Sequence, residues 1–232
     1  MTDLSDFPIT KRWPASDTTV IQLYSYPTPN GVKVSIALEE MGLAYEPHLV
    51  TLSDSDVKSD AFLSLNPNNK IPAIIDPNGP NGPIGLFESG AILIYLAEKS
   101  GKLIGTNAAE KAKVIQWLMF QMGGVGPMFG QLGFFYKFAG KDIEDPRPQQ
   151  RYIDEAKRLL AVLEQELSDK DWIAGDFSIA DIALAPWINA LDFYGAKEVV
   201  GYNDLKHVPA YVERFFARPA VQKARRIPDP NG

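Results

Sequence analysis

Apolar positions follow two regimes along the chain. Up to about residue 100, short runs of alternating β-formers interleave with helical spacing, and beyond 107 helical spacing stands alone. The run 20–25 (VIQLYS) alternates and predicts a strand. After a turn marked by Pro27 and Pro29, Val32, Ile36 and Leu38 recur near helical spacing, and Glu39 and Glu40 precede a stop at Gly42. That pattern predicts a helix over 32–41. Residues 45–52 predict a second strand, 60–65 a short helix, 73–76 a third strand and 84–87 a fourth. The segment Asn78-Gly79-Pro80-Asn81-Gly82-Pro83 has hairpin-loop chemistry. A helix over about 88–99 closes a βαβαββα unit. Past it, helices are predicted over 108–120, a broken continuation to about 138, 149–167, 178–193 and 209–217. The expected fold class is therefore α/β followed by all-α: an extension over 1–18, an α/β domain over 19–100, a linker over 101–107 and a helical domain over 108–232.

Composition narrows the function more than the fold. With 232 residues and 45% hydrophobic content, the chain can bury a substantial core. A net charge of −6 without clustered Lys and Arg argues against nucleic acid as a partner. The first eighteen residues carry Pro8, Lys11, Arg12 and Pro14 and lack the apolar stretch of a secretory signal. No apolar run reaches the roughly 18 residues of a membrane span, so a cytoplasmic protein without a membrane partner is expected. The absence of cysteine excludes disulfide staples, and His48 and His207, far apart and without spaced carboxylates, argue against a zinc site.

Three short motifs carry candidate chemistry. The turn Thr28-Pro29-Asn30-Gly31 lies between the first strand and first helix, so the helix's positive end and its unpaired N–H groups face whatever lies above it. Pro29 has no N–H, which leaves the Thr28 hydroxyl, the Asn30 amide and main-chain donors of Asn30 or Gly31. Either Thr28 or Asn30 can equally be a simple helix cap. A thiol with a pKa near 8.5 is only a few per cent ionised at neutral pH, and lowering it by about two units takes roughly 2.7 kcal/mol. A helix terminus supplies up to about 2 and each hydrogen bond to a charged group about 1.5–3, so two aimed donors suffice for a guest thiol. Ile71-Pro72 precedes a strand. A cis bond there would turn the Ile71 main chain outward to pair with an extended peptide, although trans is the default for X–Pro. At Glu88-Ser89, a strand becomes a helix: Ser89 can donate to a carboxylate and Glu88 accept from an ammonium, together matching an α-amino acid end. Ser89 as an N-cap with Glu88 solvated is the alternative.

The combination resembles the glutathione transferases. The resemblance rests on Asn66-Pro67-Asn68-Asn69-Lys70-Ile71-Pro72-Ala73 and on the run from Glu88 to Ala97, and covers about residues 20–225. The Pro-Thr-Pro-Asn-Gly turn and Gln121-Met122-Gly123-Gly124-Val125-Gly126-Pro127-Met128 look like the nu class, the bacterial disulfide-bond reductases related to the yeast nitrogen-regulator prion protein. The resemblance implies a thioredoxin-like N-terminal domain followed by an all-helical one. It also implies a homodimer with the cleft between domains near the subunit interface, and glutathione or its disulfide as ligand, up to two tripeptides per subunit. It further implies sulfur-side catalysis by Thr28 and Asn30, main-chain pairing by Ile71 beside Pro72, a γ-glutamyl clamp of Glu88 and Ser89, and a carboxylate contact from Arg151. Lys70 is a candidate for the glycyl end, because Val57 stands where relatives can present a glutamine.

The activity implied is glutathione-dependent disulfide reduction. Conjugation of electrophiles or reduction of organic hydroperoxides is the alternative, and a weakly catalytic regulatory module a further one, though the chain lacks an Asn/Gln-rich leader. Gly124-Val125-Gly126 is not a phosphate loop and is expected to break a long helix with Pro127. Tyr24 and Tyr26 are expected in core or rim. Met128, Phe129, Phe134, Phe135 and Tyr136 are candidates for an apolar substrate wall or for core. Ser178 and Asp181 have the spacing of a capping box.

Overall fold

The computed structural model describes residues 4–230 and divides into two units, one formed by the residues up to Gly101 with the segment from Pro219, the other by Lys102–Arg218. The first unit contains β1 (Ile21–Ser25), α1 (Gly31–Met41), β2 (Tyr45–Leu49), α2 (Asp54–Val57), α3 (Asp60–Leu63), β3 (Ala73–Asp76), β4 (Ile84–Phe87) and α4 (Ser89–Ser100). The second contains α5 (Ala108–Phe120), α6 (Gly126–Tyr136), α7 (Arg147–Glu166), α8 (Ile179–Tyr194) and α9 (His207–Phe216). The final helix, α10 (Pro219–Ala224), belongs to the first unit.

The sheet order is β2-β1-β3-β4, with β1 parallel to β2, β3 antiparallel to β1 and β4 antiparallel to β3. This is the mixed sheet that the expected thioredoxin-like domain requires. β1 and β3 are buried along their whole length because both faces are covered. On one face lie α1 and α4. On the other, Tyr24, Ala73 and Ile75 join Val50, Val57, Phe62, Leu65 and Ile71 in one cluster. Cross-strand pairing of Tyr24 with Ala73 and of Gln22 with Ile75 is the period-2 consequence of that division.

Three features differ from the sequence expectation. Residues 4–18, expected as an extension without an assigned place, pack on the first unit. Leu4 and Ile9 are buried in the same cluster, Phe7 and Trp13 pack on it, and Trp13 Nε1 donates to the Leu49 carbonyl at 3.0 Å. A chain otherwise short of helix on that face uses its own leader to cover it. The helical unit stops at Arg218 rather than running to 232: α10 lies against α1, where the Ser35 hydroxyl donates to the Ala224 carbonyl at 3.0 Å and Lys223 pairs with Glu39 at 2.8 Å. The one-turn α2 has only Val57 buried and so left no period to read.

In the second unit the Gly-rich stretch does not end the helix. It passes as a π-helical turn, Gln121–Val125, directly into α6, with Pro127 just past that turn. α8 is the buried centre of this unit, and its start is fixed by the expected box. Ser178 N–H and Ile173 N–H each donate to the Asp181 carboxylate at 2.9 Å. Burial pushes the Asp181 carboxyl up to about 6 while these bonds pull it down. Asp181→Ala strands both buried N–H groups and is expected to cost about 3 kcal/mol, lowering Tm by roughly 6–12 °C in a thermal melt.

Candidate functional site

The sheet register collects the three motifs. Tyr24 pairs with Ala73, and Ala73 with Phe87, so these three residues lie side by side on adjacent strands. Neighbouring strands are about 4.8 Å apart. Thr28 follows four residues after Tyr24, Ile71 precedes Ala73 by two, and Ser89 follows Phe87 by two. The turn into α1, the entry to β3 and the turn into α4 therefore all sit at one end of the sheet, where α1 and α4 begin with their N-termini.

At the first corner, Thr28 rather than Asn30 caps α1. Gly31 N–H donates to Thr28 Oγ1 at 3.2 Å and Val32 N–H to the Thr28 carbonyl at 3.0 Å, while Asn30 makes no side-chain cap. The hydroxyl accepts from the helix, which leaves its own proton to be donated elsewhere. Gly31 is required here: a Cβ would fall 1.9 Å from the Tyr26 carbonyl oxygen and 2.6 Å from Ser25 Oγ. The close approach presses the start of α1 onto the end of β1 and fixes the turn.

At the second corner the Ile71–Pro72 peptide is cis. The loop before it is tied by Asn66, which is buried. Its amide donates to the Lys70 carbonyl at 2.5 Å and its oxygen accepts from Asn68 N–H at 2.9 Å. The Lys70 side chain itself is exposed. Val57 is a member of the apolar cluster, so its aliphatic side chain is explained by packing.

At the third corner Glu88 is exposed and holds φ 69°, ψ 110°, a conformation that costs a non-glycine residue about 1–3 kcal/mol. Ser89 follows it at the first helical position, buried, and is not a cap. Its hydroxyl instead accepts a hydrogen bond at 3.3 Å from the Nζ of Lys33, a lysine of α1 with no exposed surface. Burial pulls the Lys33 ammonium down to about 7, and the charge of Glu88 pulls it back up.

Lys33 is the residue that sequence reading passed over. Periodicity assigns a lone lysine on an amphipathic helix to solvent. Here every residue from Gly31 to Leu38 is buried, because the sheet, α4 and α10 enclose α1 on more than one side. Two valines flanking the lysine were the available signal. Arg151, by contrast, lies exposed in the second unit on α7, where its charge acts on Glu155. It is not among the residues the sheet gathers. Tyr24 is fully buried, its ring stacked on His48 with centroids 4.7 Å apart, and burial raises its phenol well above the ordinary range, so it does not ionise. Tyr26 is half-buried against the apolar cluster. Of the proposed aromatic wall, Phe129 is core, Phe135 stacks on Tyr152 and Phe134 is exposed. Among the described residues no three His, Asp or Glu side chains group to hold a metal, and no helix is long and apolar enough to cross a membrane.

The family model for the glutathione S-transferase N-terminal domain matches residues 19–98, and that for the C-terminal domain matches 129–219. The disulfide-bond oxidoreductase YfcG of Escherichia coli is 43% identical over 208 residues, covering 88% of this chain and 94% of that protein. A glutathione transferase from Burkholderia graminis, crystallised with two glutathione molecules bound per subunit, superposes with a TM-score of 0.97 at 62% identity, covering 99% of this chain and 97% of that one. One from Pseudomonas putida, with one glutathione disulfide bound per subunit, gives 0.96 at 56% identity, covering 98% and 100%.

Proposed function

Since the chain belongs to the glutathione S-transferase family, with both domains matched, we propose that it is a disulfide-bond oxidoreductase of the nu class that works entirely with borrowed glutathione thiols. One observation carries the conclusion: in a chain with no cysteine, the turn Thr28–Gly31 at the start of α1, the Ile71–Pro72 entry to β3 and the Glu88–Ser89 turn into α4 lie at the same end of the sheet. The related structures with two glutathione molecules or one glutathione disulfide per subunit support a site for both sulfurs of the exchange.

In this reaction Thr28 and Asn30 donate to the sulfur of one glutathione, and with the α1 terminus they favour its thiolate. The thiolate attacks one sulfur of the substrate disulfide. A new S–S bond forms as the old one breaks, and the departing thiolate takes a proton. A second glutathione thiolate then attacks the glutathione sulfur of the mixed disulfide and releases the remaining substrate sulfur as a thiol. Two glutathione thiols have become one disulfide, and the substrate has gained two electrons and two protons. Ile71 supplies the main-chain pairing for the cysteinyl unit, Glu88 the acceptor for the γ-glutamyl ammonium and Ser89 the donor for its carboxylate. Lys70 is assigned to the glycyl carboxylate of the tripeptide. Glutathione chemistry of this kind suits the reducing cytoplasm, and the family arrangement is a homodimer.

Turnover of 2-hydroxyethyl disulfide, a chlorinated dinitrobenzene and cumene hydroperoxide, each with glutathione, tests the reaction class. The disulfide is expected to be the fastest substrate. A disulfide rate at the uncatalysed background would overturn the proposal, and faster turnover of either other substrate would move the assignment to conjugation or peroxide reduction.

A further inference from the structure

We propose that Asn81 is a site of spontaneous deamidation: the Gly82 main-chain nitrogen closes on the Asn81 side-chain carbonyl carbon, and the fold confines this chemistry to Asn81 among the Asn-Gly pairs of the described residues.

The chain contains four Asn-Gly pairs, at 30–31, 78–79, 81–82 and 231–232, the last of them outside the described residues. Asparagine is chemically labile, and a following glycine favours the reaction because it has no side chain to obstruct the approach of its own nitrogen. In the first step a bond forms between Gly82 N and Asn81 Cγ, the Gly82 nitrogen gives up its proton, and the side-chain nitrogen leaves as ammonia. Water then opens the five-membered imide at either of its two carbonyls and leaves an aspartyl or an isoaspartyl linkage. Nothing is oxidised or reduced, and the chain gains one negative charge.

The three described pairs differ in what holds the asparagine and what surrounds the glycine. Asn81 is exposed, and its side chain has no hydrogen-bond partner among the described residues. Gly82 is exposed too, with φ 109° and open space where a Cβ would stand, and its N–H donates to the Gly79 carbonyl at 3.3 Å, a long bond. Asn78, in the same loop, is tied at three points. Its side-chain amide donates to the Thr19 carbonyl at 2.8 Å, its N–H donates to Asp76 Oδ1 at 2.8 Å, and its carbonyl accepts from Lys99 Nζ at 2.7 Å. Gly79 is crowded, a Cβ there falling 2.6 Å from the Gly82 carbonyl oxygen and 2.7 Å from the Ile84 side chain. Asn30 is helical, at φ −82° and ψ −40°, and Gly31 opens α1 with its N–H bound to Thr28 Oγ1 at 3.2 Å. Ring closure has to swing the asparagine ψ until the next nitrogen eclipses its Cβ, which a helical ψ forbids. Asn30 and Asn78 must therefore open locally before they react, and Asn81 need not. Asp76 pairs with Ile84 at the base of this loop, whereas Ala73 pairs with Phe87 at the far end of the same strands, so the added charge is kept away from the turn into α4.

Ageing of the native protein at pH 8.5 and 37 °C, with tryptic digestion and tandem mass spectrometry to locate each conversion, tests the assignment. Conversion at Asn81 is expected to outpace that at Asn78 and Asn30 by about tenfold or more, the difference that a modest local-opening cost imposes. An isoaspartyl-specific carboxyl methyltransferase is expected to label the aged protein and to lose most of that signal in Asn81→Gln. Ageing in guanidinium chloride supplies the control, and there the three sites are expected to convert at similar rates. Native conversion of Asn78 or Asn30 as fast as that of Asn81, or none at Asn81, would overturn the proposal. An equal preference for Asn81 in the denatured chain would trace the selectivity to local sequence and overturn the role given to the fold.

Discussion

Replacing Thr28 and Asn30 together by alanine is expected to slow glutathione-dependent disulfide reduction at pH 7 by roughly a hundred- to thousandfold, the usual cost of removing preorganised donors from a developing or resident anion. No side chain can supply a thiolate in its place, because the chain contains no cysteine. Without the two donors, the guest thiol's pKa drifts back toward about 8.5, so the deficit should shrink as the assay pH is raised toward 9. That convergence separates a lost thiolate from a damaged fold. The structural cost is small: Thr28 Oγ1 accepts one helix N–H at 3.2 Å, and losing such a cap costs about 1 kcal/mol, a few degrees in Tm. A pH–rate profile of the double variant checks the expectation. Rates matching the parent at pH 7 would move the sulfur contact to another group, Tyr26 being the half-buried neighbour on the same turn.

The second large effect is on stability and has the opposite sign from most core substitutions. Lys33→Met is expected to raise Tm by a few degrees near pH 6.5, since it exchanges a wholly buried ammonium, whose burial disfavours the charged form, for an apolar side chain of similar length. An unfolded lysine holds its proton to about pH 10.4, but the folded one loses it near 7. Between those values the unfolded chain binds the extra proton, so the parent's stability climbs with pH, and below 7 the full penalty is present. The variant has no such group. Its advantage should be largest at pH 6.5 and shrink by pH 9, which paired thermal melts at the two pH values would read. A variant less stable than the parent at both would mean that the methylene packing, not the charge, dominates at this position.

The sequence made the strands of the first unit visible because their alternation and their bounding turns agree. Ala73–Asp76 and Ile84–Phe87 stand where the pattern put them, and the hairpin between them sets the register that aligns Ala73 with Phe87. The box at Ser178 and Asp181 was equally readable, since its chemistry is local. What escaped depends on contacts distant in sequence. α10 is six residues long and takes its place from α1, almost two hundred positions earlier, and no short-range period announces that. Gly124-Val125-Gly126 with Pro127 looks like a break, yet a π turn carries the chain through as a continuous helix. Lys33 escaped for the same reason as α10: its burial is created by three elements closing around α1, so spacing along one helix cannot disclose it.

The leader has a practical bearing. Homology to the transferase N-terminal domain begins at residue 19, and a protein engineer trimming to that point would discard Ile9, which is wholly enclosed, and Trp13, whose indole is tethered to Leu49. Such a cut removes part of the cover from one side of the sheet, exposing apolar surface around Tyr24 and Phe62 of the kind that drives aggregation. Where likeness between relatives starts is thus a poor guide to where this polypeptide can safely be shortened.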